Sequence, residues 1–178
     1  MTKRLTKIGV NPDFQELSSF VHELPTVFET GGKVIYKGRN ELKEFDVEGK
    51  KLIVKSYQLP HLLNRIIYNF FRASKAKRSY SYALMLRKLG IGSPAPVGYY
   101  STGSWLLFGR SYFVCLKSDC PYTYRDFEKT VFPNQEQILR AIARTTAMLH
   151  ENGLLHKDYS AGNILFRTID EKVEVEII

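Results

Sequence analysis

The stretch HKDYSAGNILF, residues 156–166, restricts what this chain can fold into more than any other. A His, an Asp and an Asn share a short polar turn that runs at once into an apolar strand. The flanks define the turn. Upstream, Asn134 can cap a helix, Gln137 sits at its third position, and Ile138, Leu139, Ile142, Thr146 and Leu149 fall on one face. Gly153 ends that helix. Downstream come a strand over 164–166, a polar turn over 168–172 and the alternating VEVEII.

The first half of the chain reads differently. Residues 12–24 suit a short amphipathic helix, with Pro12 in its first turn. Three extended runs follow, over 33–36, 41–47 and 52–55, separated by Lys37-Gly38-Arg39-Asn40 and Glu48-Gly49-Lys50. They read as an antiparallel meander. Residues 60–89 look helical, with Leu62, Leu63, Ile66, Ile67, Phe70 and Phe71 in helical register, and with a second helix over 79–89 stopped by Gly90. Two more strands are expected near 97–100 and 112–116. The fold class is α+β, a β-rich first lobe before a helical second one.

Hydrophobic residues make up 44% of the 178, so the chain can bury a core. The formal charge of +8 points to an anionic partner: nucleic acid, a phosphorylated ligand or a membrane face. Cys115 and Cys120, the two cysteines, make no disulfide framework and no usual zinc pattern, and read as thiols in a reducing compartment. The N-terminus lacks the apolar core of a secretory signal, and no run approaches a membrane span, so a cytoplasmic protein is expected.

The loop has a specific chemistry. Asp158 and Asn163 stand five apart, the H-x-D-x-x-x-x-N spacing of a kinase catalytic loop. Phosphoryl transfer from ATP needs a carboxylate at the acceptor hydroxyl, hard oxygen ligands for Mg²⁺ and a fixed cation on the phosphates. Asp158 would take the first role, Asn163 the second, and Lys55, closing the strand LIVK, the third. The same Asp and Asn could instead satisfy backbone groups in a tight turn, as Asx residues do. His156 is expected to pack and hydrogen-bond within the loop. The turn at Gly38, Arg39 and Asn40 is not a full glycine-rich loop; it could cover phosphates or simply join a hairpin.

Together YKGRNELKEF, LIVKSY, RSYSYALMLRKLGIGSPAPVGYY and LHENGLLHKDYSAGNILF resemble the lipopolysaccharide kinases, the Kdo- and heptose-kinase-like group of the protein-kinase-like superfamily. The resemblance runs from about residue 30 to the end of the chain. Gly162-Asn163 is also similar to small-molecule kinases of the aminoglycoside phosphotransferase type. The resemblance implies ATP- and Mg²⁺-dependent phosphorylation of a sugar hydroxyl on lipopolysaccharide or another glycolipid, at the cytoplasmic face of the inner membrane. It implies an N-terminal helical extension over 1–29, an N-lobe over 30–117 and a partial C-lobe over 118–178. It also implies an adenine-binding hinge at Val114, Cys115 and Leu116.

Two departures accompany it. Active kinases pair the strand lysine with a helix Glu, but no Asp or Glu lies between Glu48 and Asp119, and the aligned positions are Ser79 or Ser81. Either Glu16 or Glu23 substitutes, or nucleotide phosphate alone holds Lys55. Secondly, the sequence stops at Ile178, where the family's metal-binding Asp should follow. The expectation is weak metal binding and an inactive chain: a gene fragment, a shortened expression product or a degenerate copy. The acid-free basic stretch, with Arg65, Arg72, Lys75, Lys77 and Arg78, suits an anionic membrane surface or a solvated helix face. No nucleic-acid module is recognised. The rival readings are a non-catalytic kinase-like module that binds nucleotide or a partner, and a basic binding domain whose loop motif is accidental.

Overall fold

Strand alternation organises the first half of the molecule. The structure, a computed structural model, describes residues 5–58, 73–103, 108–170 and 172–178. Its chain divides into two units, Met1–Leu84 with Ala95–Lys117, and Met85–Pro94 with Ser118–Ile178.

The first unit holds β1 (Leu5–Val10), α1 (Ser18–His22), α2 (Leu24–Thr30), β2 (Lys33–Lys37), β3 (Asn40–Val47), β4 (Lys50–Tyr57), most of α3 (Lys75–Lys88), β5 (Pro96–Gly103) and β6 (Phe108–Leu116). Its strands make one antiparallel sheet in the order β1-β5-β6-β4-β3-β2. The expected meander is therefore present. Between β3 and β4, Glu48 and Gly49 both take positive φ, 51° and 70°, the mirror-image turn whose twist suits a tight hairpin.

Strand β1 is not foreseen in the sequence reading. It pairs with β5, and the buried Asn11 just after it donates from Nδ2 to the Pro96 carbonyl at 2.9 Å. The single helix expected over 12–24 is broken. A 3-10 segment, Pro12–Leu17, carries non-helical Phe14, and α1 stops at His22. Pro25 explains the second break, because its ring removes a helical donor and suits only the first turn of α2.

These segments cover one face of the sheet. Leu17, Val21, Leu24 and Phe28 pack on Leu52, Val54, Val97, Tyr112 and Val114. Each such side chain contributes about 1.5–3 kcal/mol on burial. Successive strand residues alternate faces, so Lys55, next to Val54, lies on the other side. That side meets α3, where the Tyr57 and Ser79 hydroxyls are 2.6 Å apart and the Tyr80 and Tyr99 rings 5.4 Å apart. Helix α3 starts earlier than the expected 79 and ends before Gly90, whose φ is +73°. The helix expected over 62–71 lies outside the described residues.

The second unit holds β7 (Tyr122–Thr123), α4 (Tyr124–Phe127), α5 (Gln135–Glu151), β8 (Ile164–Ile169) and β9 (Lys172–Ile177). Ile138, Ile142 and Leu149 of α5 pack with Ile164, Phe166, Val175 and Ile177. Leu139, expected on that face, is exposed. Asn134 precedes α5 but makes no side-chain cap; its Nδ2 donates to Thr168 Oγ1 at 3.1 Å instead. Gly92 lies so close to β9 that a Cβ there would stand 2.0 Å from the Val175 carbonyl oxygen. No described helix is long and apolar enough to cross a membrane.

Candidate active site

The loop after α5 is built around Asp158. Ser160 N–H donates to the Asp158 carbonyl at 2.9 Å, and Asn163 N–H donates to the Ser160 carbonyl at 2.8 Å. Asn163 Nδ2 then reaches back to the same Asp158 carbonyl at 2.9 Å. One amide thus closes a ring over residues 158–163 and fixes the backbone on which the Asp158 carboxylate is mounted. Neighbouring elements brace it. Tyr159 hydroxyl meets Thr146 Oγ1 of α5 at 2.6 Å, Arg125 N–H donates to the Ala161 carbonyl at 3.1 Å, and Ile178 N–H donates to the Asn163 carbonyl at 3.0 Å.

Two oxygen groups are left over. The Asp158 side chain is exposed and has no hydrogen-bond or ion-pair partner among the described residues, and Asn163 Oδ1 likewise accepts from none of them. The turn-forming role is thus carried by the Asp158 carbonyl and the Asn163 amide nitrogen, not by the Asp158 carboxylate. No three His, Cys, Asp or Glu side chains among the described residues gather to hold a metal. A Mg²⁺ ion would fit here only with phosphate oxygens completing its shell around Asn163. His156 departs from expectation: its ring stands edge-on to Tyr159 at 6.0 Å, but its buried Nδ1 has no hydrogen-bond partner among the described residues.

Lys55 lies mid-sheet, opposite Leu42 on β3 and Phe113 on β6. Its Nζ sits 5.6 Å from the centre of the Tyr57 ring. It forms no ion pair among the described residues, and Glu16 is 3.1 Å from Lys50 instead. Helix α3 offers no carboxylate. Ser79 faces the sheet through Tyr57, and Ser81 is exposed. Burial pushes the Tyr57 phenol up to about 12, although its Ser79 hydrogen bond pulls the other way.

Gly38 and Arg39 form the two-residue connection from β2 to β3, with Gly38 N–H donating to the Asn40 carbonyl at 3.0 Å. Asn40 Oδ1 accepts from Gln58 N–H at 3.3 Å, tying this turn to the end of β4. Val114, Cys115 and Leu116 fare differently. Val114 is fully buried in the core, and Val114 and Cys115 lie inside β6 with β4 on one flank and β5 on the other. Leu116 N–H donates to the Ala95 carbonyl. Val114 and Cys115 thus have strands on both sides, and Leu116, where β6 ends as expected, is the hinge position nearest the edge of the ladder. Lys117 N–H, just past the end of β6, still donates to the Lys51 carbonyl at 2.8 Å.

The sequence reading missed the neighbours of Lys55. Lys75 and Arg78 share one face of α3, three residues apart. The signal was present in the absence of any acid from 49 to 118.

No protein-family model matches the chain, and no curated protein matches it. Among solved structures, it is similar to WaaP in complex with acyl carrier protein, with a TM-score of 0.65 and 17% identity over 97% of this chain and 70% of that one. It also matches aminoglycoside phosphotransferase APH(4)-Ia, with a TM-score of 0.45 and 11% identity over 90% and 70% of the two chains. An antiparallel sheet backed by a helix, followed by a helix, a polar loop and a hairpin, is the order of a kinase, and the chain has a protein-kinase-like α+β fold.

Proposed function

We propose that the chain is an ATP-dependent phosphotransferase of the lipopolysaccharide-kinase type, acting on a sugar hydroxyl. The observation that carries this reading is the unpartnered, exposed Asp158 carboxylate on a backbone fixed by Asn163. Asp158 accepts the proton of the acceptor hydroxyl as that oxygen attacks the γ-phosphorus. The bond from phosphorus to the β,γ-bridging oxygen breaks, and ADP leaves with the electron pair. Lys55 holds the nucleotide phosphates. Asn163 Oδ1 would hold Mg²⁺, which supplies charge neutralisation on the phosphates when bound. The adenine edge is read by backbone of the Val114, Cys115 and Leu116 segment, at the C-terminal end of β6. The acceptor is the core sugar of a lipopolysaccharide or a related glycolipid, reached at the cytoplasmic face of an anionic membrane. The fold shared with WaaP supports the class of reaction, and because that structure holds acyl carrier protein, retention of a purified acyl carrier protein by the chain is a separate partner test.

The test is ADP release with lipopolysaccharide core oligosaccharide as acceptor, comparing the wild type with Asp158→Asn. The expected result is turnover in the wild type and a loss of about 10²–10⁴-fold in the variant, at unchanged melting temperature. Equal turnover in both would overturn Asp158 as the base. A second reading, a non-catalytic nucleotide-binding module, is favoured by the lack of a carboxylate partner for Lys55 among the described residues. ATP binding with no turnover on any sugar would select it.

A further inference from the structure

We infer that Arg39, Lys55, Lys75 and Arg78 form one polyphosphate cradle, in which α3 supplies cations to the phosphate chain of a nucleoside triphosphate where a carboxylate would otherwise hold the strand lysine. The inference deepens the proposed function and rests on that reading only for the nucleoside part of the ligand.

Three observations carry it. First, the four cations converge within one unit. Lys55 stands on β4 beside Tyr57, the hydroxyl pair of Tyr57 and Ser79 clamps α3 onto that strand, and Lys75 and Arg78 occupy the adjoining positions of the same helix. Arg39 comes from the turn that Asn40 ties to the end of β4. Secondly, none of the four forms an ion pair among the described residues, and no acid occurs from 49 to 118 to provide one. Thirdly, Arg78 Nε is buried without a hydrogen-bond partner among the described residues.

A buried guanidinium donor left unsatisfied is costly, and so is a group of like charges brought close without a counter-charge. Burial, and after it the nearby Arg39, Arg78 and Lys55, hold the Lys75 ammonium below its usual range. The fold accepts this repulsion in the ligand-free protein. A multiply charged anion relieves it and satisfies the Arg78 donor in one step. A linear triphosphate offers enough oxygens to meet several of these cations at once, which orthophosphate does not.

Isothermal titration and thermal shift with inorganic tripolyphosphate, ATP, orthophosphate and adenosine test this without any turnover. Tripolyphosphate and ATP should bind and raise the melting temperature, while orthophosphate binds at least tenfold more weakly and adenosine gives no comparable shift. Lys75→Gln and Arg78→Gln should each weaken tripolyphosphate about tenfold, and Lys75→Arg should restore it. Arg110→Gln, which removes a partner of Glu29, should leave the affinity unchanged. Lys75→Glu should raise the ligand-free melting temperature and abolish the tripolyphosphate shift; those opposite signs distinguish a cradle from a folding defect. Wild-type affinity in both Lys75→Gln and Arg78→Gln overturns the cradle even if the enzyme turns over. Loss of affinity in them, with no sugar phosphorylated, upholds the cradle and defeats the kinase reading.

Discussion

Lys43 and Lys55 sit on adjacent strands of one sheet and point to opposite faces. Lys43, opposite Val54, donates to the Phe28 carbonyl at 2.5 Å and the Gly31 carbonyl at 3.1 Å, and lies 4.7 Å from the centre of the Phe28 ring. Those carbonyls close α2, where the helix carries its partial negative charge. Lys43 is a helix cap supplied by a strand. Lys55, opposite Leu42, has an aromatic ring beside it and other cations around it. Both read alike in the sequence as strand lysines. Their partners separate them: a charge whose bonds are made inside the protein serves the fold, and a charge left without them is available to a ligand.

The largest expected effects break this comparison if they fall the wrong way round. Lys55→Met should cut phosphoryl transfer by about 10²–10³-fold, as loss of a fixed charge-stabilising donor does. Its melting temperature should hold or rise, because a repelling charge is removed. Lys43→Met should do the reverse, costing about 2 kcal/mol of stability for two lost charge-assisted bonds while the folded protein binds tripolyphosphate as before. ADP release, urea denaturation and tripolyphosphate titration calorimetry on the pair measure these quantities. A Lys55→Met protein that unfolds early and binds normally would show that the division by partners is wrong.

Tyr57 sharpens the comparison from the side of α3. Its phenol is pushed up to about 12, chiefly by burial, against an ordinary value near 10. The folded chain therefore holds this proton more tightly than the unfolded one. The corresponding stability is complete below pH 10 and is lost as pH rises through about 12. Urea midpoints should fall across that window in the wild type. In Tyr57→Phe the fall should be shallower, after a cost of about 1 kcal/mol at neutral pH for the lost Ser79 hydrogen bond. An unchanged alkaline slope would mean that the clamp between β4 and α3 is open in solution.

Much of the fold was legible because it rests on local chemistry. The β2–β4 meander follows from apolar alternation between glycine-bearing turns, and α5 from its buried Ile138, Ile142 and Leu149. What escaped depends on distant partners. LTKIGV becomes β1 only because β5, some ninety residues later, presents an edge to it. The expected hinge residues Val114 and Cys115 lie inside β6 with β4 on one side and β5 on the other, a double pairing that the local run does not reveal. The pairing of Asn163 with the Asp158 backbone was implied by spacing; the bracing of that loop by Thr146 and Arg125 was not, because neither residue is near it in sequence.

The same division by partners reaches the smallest effects, at two helix starts. Thr123 and Asn134 both have cap-forming side chains. Only Thr123 caps: its Oγ1 accepts from Asp126 N–H at 3.3 Å, while the Asp126 carboxylate accepts from Thr123 N–H at 2.8 Å. That backbone donor, first, and the Thr123 hydroxyl next, hold the Asp126 carboxyl below its usual range. Thr123→Ala should therefore cost about 1 kcal/mol. The carboxylate's share of this cap is present above its unfolded range and is lost as pH falls through the lowered folded value. Asn134→Ala removes only an exposed bond to Thr168 Oγ1 and should cost less than about 0.5 kcal/mol, with no pH dependence of its own. Measured urea midpoints at pH 7 and pH 3 check both. Equal losses at the two sites would mean that Asn134 caps α5 in solution, and that side-chain type rather than the bonds made here decides the cost.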